Sequence, residues 1–374
     1  MKEKEIDIKV DSFRFINHLH TTVRQLFICS EVVLQLNEKQ LPKDLLLKLL
    51  YKWSKEQESI NEIYKNSKGK LTDKGKETSA VNHYLDLCNS LGLVTHLNGF
   101  YSNKRLSRIL LYFINKDCKR FEITIQEKLF YLFQLLSIDA DGILLVLSLL
   151  ENVANKNQIE LQKEFKDALN KRLLSKQELA SQIIKTSIGE KYRTINFIWK
   201  RPEKYAEHIL IPRCEWLSSI GLLSIEKKGS STIYSLTGAG INFYSNIPLL
   251  SNSSLTRDIN EHWMNQQIFT LFDTVFPDSR VRYKDLEHNK AKECLGFALK
   301  KASTIVKTSN TFRIPLFDTL VFICLYLFIE KKIIINFSNI YEELKGKFSF
   351  ENKQYLLKEA GRINEGYITT ITIG

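Results

Sequence analysis

A chain of 374 residues, 44% hydrophobic and 26% charged, has the make-up of a folded protein of two or three compact units, which excludes a disordered or fibrous chain. Its formal net charge of +12 favours nucleic acid or another anionic surface as partner, although AT-rich coding produces the same excess of lysine. The six cysteines, at 29, 88, 118, 214, 294 and 324, offer no CxxC spacing and read as reduced, mostly buried thiols of a cytoplasmic protein.

Residues 1–12 read as a charged lead-in with an edge strand from Ile6 to Val10. They contain no apolar core and so no signal peptide is expected. Phe13 to Leu36 carries apolar residues at helical spacing and predicts one long helix. A second helix starts at Pro42-Lys43. The lysine-rich break Lys65–Lys76 leads into a helix ending at Ser90, then a hairpin turning at Asn98-Gly99. Helices are predicted over Ile125–Leu136, Gly142–Ala154, Leu161–Leu174 and Gln177–Thr186, with Tyr192–Trp199 leading into Lys200-Arg201-Pro202-Glu203-Lys204. Pro248–Ser254 is the best linker candidate. Beyond it come a helix Asp258–Phe272, a turn at Pro277-Asp278-Ser279 and a basic helix Asp285–Ala302. The most apolar helix, Pro315–Ile329, is too short to cross a bilayer and is expected in a core. A strand Ile333–Phe337, a helix capped by Ser338, a helix Ser349–Arg362 and a strand Tyr367–Ile373 complete the chain.

One stretch carries more information than the rest: RCEWLSSIGLLSIEKKGSSTIYSLTGAGINFY, Arg213–Tyr244. A helix with Trp216, Leu217 and Ile220 on one side ends at Gly221, where a left-handed residue is favoured. Strands Leu222–Ile225 and Thr232–Leu236 flank a tip from Glu226 to Ser231, and Thr237 can cap the helical turn after the second strand. Leu91-Gly92-Leu93-Val94 stands in the same relation to its hairpin as Ile220-Gly221-Leu222-Leu223, about 130 residues later, which reads as an internal repeat. Helix, glycine, hairpin and Leu-Thr-x-x-Gly together resemble the closing half of a winged-helix DNA-binding domain. The resemblance implies a mainly α fold with short β-hairpins in tandem winged-helix domains: residues 1–120, 121–250 with a helical segment before the hairpin, and 251–374 as a further copy. The C-terminal part, 251–374, also reads simply as a helical domain, so that two or three copies stay open. The resemblance implies that the helix before each hairpin enters the major groove while the hairpin tip lies along the backbone. On that basis Lys74, Lys76, Thr78, Ser79, Asn82, His83, Lys104, Arg105 and Arg108 are the candidate DNA contacts of the first copy. Arg193, Lys200, Arg201, Lys204, Lys227 and Lys228 are those of the second.

The sequence shows little catalytic signal. Glu226-Lys227-Lys228 and Glu330-Lys331-Lys332 match the Glu-x-Lys of a PD-(D/E)xK nuclease, with Pro277-Asp278 as the first half, but neither has the strand context. His18-x-His20 reads as a helix-surface pair rather than a metal site. Gly238-Ala239-Gly240 lacks the Lys-Ser/Thr of a phosphate loop, so no cofactor or metal is expected. The expected function is a non-catalytic binder of double-stranded DNA in the cytoplasm, away from membranes. The layout resembles accessory or recognition subunits of prokaryotic defence or mobile-element systems and the recognition halves of type IIS restriction nucleases. Two alternatives stay open: a winged-helix adaptor that bridges protein partners, as on SMC-type ATPases, and a restriction-type nuclease with a degenerate site.

Overall fold

The computed structural model describes residues 10–37, 39–114, 122–151, 155–251, 255–306, 313–359 and 365–373. Within them the protein is mainly α-helical with short β-hairpins. One succession of elements occurs three times. In the first unit it is helix Leu26–Gln35, strand Gln40–Pro42, helix Lys43–Ile60, helix Ala80–Ser90, and a hairpin of Val94–Leu97 with Phe100–Asn103. In the second it is helix Ile125–Leu150, strand Lys156–Asn157, helix Gln158–Leu179, helix Pro202–Ile220, and a hairpin of Leu223–Lys228 with Ser231–Leu236. In the third it is helix His288–Ile305, strand Arg313–Pro315, helix Leu316–Glu330, helix Phe337–Lys345, and strands Lys353–Lys358 and Tyr367–Thr372. Each time the lone strand pairs antiparallel with the second strand of the hairpin. The third sheet gains one more edge, Ser349–Phe350.

Local chemistry explains these junctions. Gln40-Leu41-Pro42 and Arg313-Ile314-Pro315 each bury their middle residue. Each ends in a proline at a sheet edge, where the missing N–H costs nothing and the fixed φ leads into the helix. Asn157 and Glu160 form a reciprocal capping box at the same junction of the second unit. Gly221 adopts φ +100 to end its helix. The first hairpin turns on Asn98 and Gly99, at φ 52 and 82, the pair of left-handed residues that suits the strand twist. The Thr237 side chain accepts from the Gly240 N–H.

Helix Ile125–Leu150 is long and apolar enough to cross a membrane by composition, yet most of it is packed inside the fold. Helix Leu316–Glu330 is likewise core: Leu320, Val321, Cys324, Leu325 and Phe328 are buried, and Phe317 is half-buried. Cys29, Cys88, Cys214 and Cys324 are free and buried, Cys294 is half-buried, and Cys118 lies outside the described residues.

The break expected between Leu174 and Gln177 lies instead at Ala180-Ser181, between helices Gln158–Leu179 and Gln182–Arg193, and four larger expectations need correction. Phe13–Leu36 is not one helix; the helix spans Leu26–Gln35, and residues 11–25 are irregular. The backbone of this segment is claimed by distant side chains. Asp141 accepts the Arg14 N–H at 2.7 Å, Asp139 accepts the Ile16 N–H at 2.8 Å, and the Trp216 indole donates to the Val23 carbonyl at 2.7 Å. Second, Ile125–Leu150 is continuous through the polar interruption at Ser137–Asp141. It is kinked at Asp139 (φ −135, ψ 23), where the Asp141 N–H donates to the Arg14 carbonyl. Third, Ser349–Lys358 is a hairpin turning at Glu351, φ +50, rather than a helix; pairing with Tyr367–Thr372 overrides the local pattern. Ile6 to Ile8 and Arg362, at the ends of two predicted elements, lie outside the described residues. Fourth, the strand at Ile333 stops at Ile334, and the next helix is capped by Asn336, in place of Ser338.

Under the kink lies a buried ionic network. Arg213 holds Asp139 with two bonds, 2.6 and 2.8 Å. Arg172 and Lys176 bridge Asp141 to Asp258 at 2.7–3.1 Å. Burial pushes the Asp139 carboxyl up against the pull of Arg213. Burial also pushes Asp141 up, but Lys176 and Arg172 outweigh it and hold Asp141 below the ordinary carboxylate value. These pairs tie the segments at residues 14–16 and 257–259 to the second unit.

Candidate nucleic-acid interface

Pinned by that network, residues 13–20 run between the first two units and floor a cleft of about 700 Å³. One wall is helix Ala80–Ser90, which contributes His83 and Asp86. The other comprises Lys191, Trp199, Tyr205 and His208, on and between helices Gln182–Arg193 and Pro202–Ile220. The helices that precede the first and second hairpins therefore face one another across it. A smaller recess of about 300 Å³, lined by Lys200, Arg201, Lys204, Tyr205 and His208, adjoins the cleft through the last two.

The cleft concentrates groups that resist further positive charge. His20 stacks on His83 with ring centroids 4.1 Å apart and lies 4.8 Å from His208. Burial lowers the His20 pKa, and the two neighbouring imidazoles lower it further. Burial lowers His208 too; Glu207 pulls it back up, while Lys204 and His83 add to the depression. Lys191 bonds to Asn17, lies over the Phe15 ring, and is pulled down to about 8 by burial and then by Arg213. An anion entering the cleft would favour the charged form of each group.

The sequence-predicted residues fall into three sets. His83, Lys200, Arg201 and Lys204 are brought together at the cleft and its recess. Arg193 is exposed one turn before Trp199, and Lys227 and Lys228 are exposed on the second hairpin, Lys228 lying 3.6 Å from Glu226. The remaining set belongs to the first unit. Lys74, Lys76 and Ser79 are exposed around a small hairpin, Thr72–Asp73 with Lys76–Glu77. The Thr78 hydroxyl donates within 3.0 Å of the Lys70 and Leu71 carbonyls and so holds that turn. Asn82 is half-buried, its Oδ1 enclosed without a hydrogen-bond partner. Lys104 and Arg108 are exposed. Arg105 pairs with Asp318 of the third unit at 2.8 Å, so it serves a contact between units.

Sequence reasoning missed His20, His208, Lys191 and the Trp199–Tyr205 stack. His18 and His20 are on an irregular segment rather than on a helix surface. No local pattern could have joined residues 20, 83 and 208. The nuclease fragments meet only in part: Asp278 pairs with Lys332 of the Glu330-Lys331-Lys332 fragment and with Arg280, whereas Glu330 itself turns to Tyr112 and Lys301. Among the described residues no group of three His, Cys, Asp or Glu side chains is placed to hold a metal ion.

No family model matches this chain, and no curated protein matches it significantly. Among solved structures it is similar to restriction endonuclease FokI, at 12% identity and a TM-score of 0.33. The alignment covers 97% of this chain and 64% of that chain, so this chain spans less than two thirds of its length.

Proposed function

We propose that the chain is a non-catalytic, double-stranded DNA-binding protein built from three winged-helix units, and that the cleft between the first two is its main contact with DNA. The observation that carries this reading is convergence. Residues far apart in sequence, His20, His83, Lys200, Arg201, Lys204 and His208, meet where two hairpin-preceding helices face each other. Lys200, Arg201 and Lys204 take phosphates, a role that requires charge and reach rather than fixed geometry. Phosphates also stabilise the imidazolium forms of His20 and His208, relieving the crowding of positive charge. Lys227 and Lys228, exposed on the second hairpin, are assigned a second contact, to the backbone. The biological setting we propose is an accessory or recognition subunit of a prokaryotic defence or mobile-element system.

The test is titration of the whole chain against mixed-sequence duplex DNA at rising salt. Affinity should fall steeply, because each neutralised phosphate releases counterion. Salt-independent binding, or none, would leave the winged-helix units to serve protein partners instead.

A further inference from the structure

Between helices Gln182–Arg193 and Pro202–Ile220 the chain makes one wide turn of π type, Thr194–Ile198. Turns of this kind recur at functional sites. Its inner side is firmly held. Ile195 is fully buried. Asn196 exchanges two 3.0 Å hydrogen bonds with Asn170 and donates a third to the Tyr192 carbonyl. Trp199, whose N–H closes the turn on the Thr194 carbonyl, stacks between Phe165 and Tyr205. The outer side is left bare: Phe197 is 80% exposed and Ile198 62% exposed. Two large apolar side chains thus project from a rigid platform. Around them in sequence stand Arg193, Lys200, Arg201 and Lys204, all exposed.

An apolar pair flanked in sequence by four exposed cations, against two exposed carboxylates, Glu190 and Glu203, complements a polyanion with an apolar interior, which is the chemistry of a base stack between two phosphate backbones. A protein partner with an apolar pocket would also have to carry a strongly acidic rim. We infer that Phe197 and Ile198 form a wedge that enters a base step of duplex DNA, while Arg193, Lys200 and Arg201 hold the flanking phosphates. This rests on the DNA-binding reading above and adds how the duplex is deformed. Apolar wedges of this type, entering from the minor groove, unstack a step and kink the duplex toward the major groove. Pyrimidine–purine steps, which unstack most readily, should be preferred.

The experiment uses the full chain and a duplex carrying 2-aminopurine beside a TA step, read at low salt. Wild-type protein should raise the fluorescence on binding, and Phe197→Leu, which keeps an apolar wedge, should retain most of the rise. The Phe197→Ala/Ile198→Ala variant should lose the rise and bind about tenfold more weakly, with an unchanged salt slope because no phosphate contact is removed. An undiminished rise in the double variant overturns the wedge. Salt-dependent wild-type binding without any rise also overturns it, and leaves the DNA-binding reading standing. No wild-type binding even at low salt overturns both. Self-association of the wild type that the double variant abolishes, with the DNA signals unaltered, would make the pair a contact between copies and overturn the wedge.

Discussion

Replacing Arg213 with methionine should be among the most damaging single changes in the protein. Arg213 and Asp139 are both fully buried, and the guanidinium also donates to the Ile209 carbonyl at 2.8 Å and the Ile16 carbonyl at 3.0 Å. Its fit is close: a Cβ added at Gly142 would lie 2.3 Å from Arg213 Nε and 2.6 Å from Asp139 Oδ1. Arg213→Met leaves Asp139 without its cation, with only the Ile16 N–H for a partner among these contacts, and breaking a buried pair in this way costs about 3–5 kcal/mol. Adding Asp139→Asn removes the orphaned charge and retains an acceptor for Ile16. The double variant should therefore recover to within about 2 kcal/mol of wild type. Urea unfolding of the wild type, both single variants and the double variant measures the cycle. A single-variant cost below about 1 kcal/mol, or a double variant no better than the sum of the two singles, would refute the assignment of this pair as the clamp on residues 14–16.

Three further outcomes are expected. Asn82→Ala should change stability by less than about 1 kcal/mol, because the enclosed Oδ1 makes no hydrogen bond to lose; a large drop in melting temperature would contradict this. The folded-state pKa values of His20 and His208 lie below the ordinary imidazole value of 6.5. Their contribution to stability is therefore present above that value and lost as pH falls through the folded values. DNA affinity should move the opposite way, rising with proton uptake as pH falls, and His20→Asn/His208→Asn should flatten that dependence in a titration across the imidazole range. Lys227→Ala/Lys228→Ala should weaken binding about equally on all duplex sequences, with the salt slope shallower by roughly 0.9 per lost contact; unchanged anisotropy titrations would remove the second hairpin from the interface.

Elements set by nearest neighbours were legible in the sequence. Gly221, Asn98-Gly99 and Thr237 each act within a few residues, and the local pattern located both hairpins and the caps around them. The apolar helix Leu316–Glu330 was equally plain, since nearly every residue in it is suited to burial. Elements set by distant partners were not. Phe13, Ile16, Leu19 and Val23 have helical spacing, yet Asp139, Asp141 and Trp216 take the hydrogen bonds a helix would have needed. The carboxylates in the middle of helix Ile125–Leu150 looked like its end because their cations, Arg172, Lys176 and Arg213, come from later helices. The same limit applied to the site. Lys200, Arg201 and Lys204 could be chosen from one basic run, whereas His20 and His208 became part of it only through folding. The third unit was partly hidden because its hairpin was read as a helix from Ser349.

The central claim is that the cleft recess binds the phosphates of duplex DNA. Its most direct test is the slope of log affinity against log salt for wild type and for Lys200→Gln/Arg201→Gln/Lys204→Gln on one mixed-sequence duplex. If all three side chains contact phosphate, the variant slope should be shallower by roughly 2.7, with an unfolding midpoint close to wild type because all three are exposed. Equal slopes for a folded variant, or a wild type that does not bind duplex DNA at low salt, would contradict it.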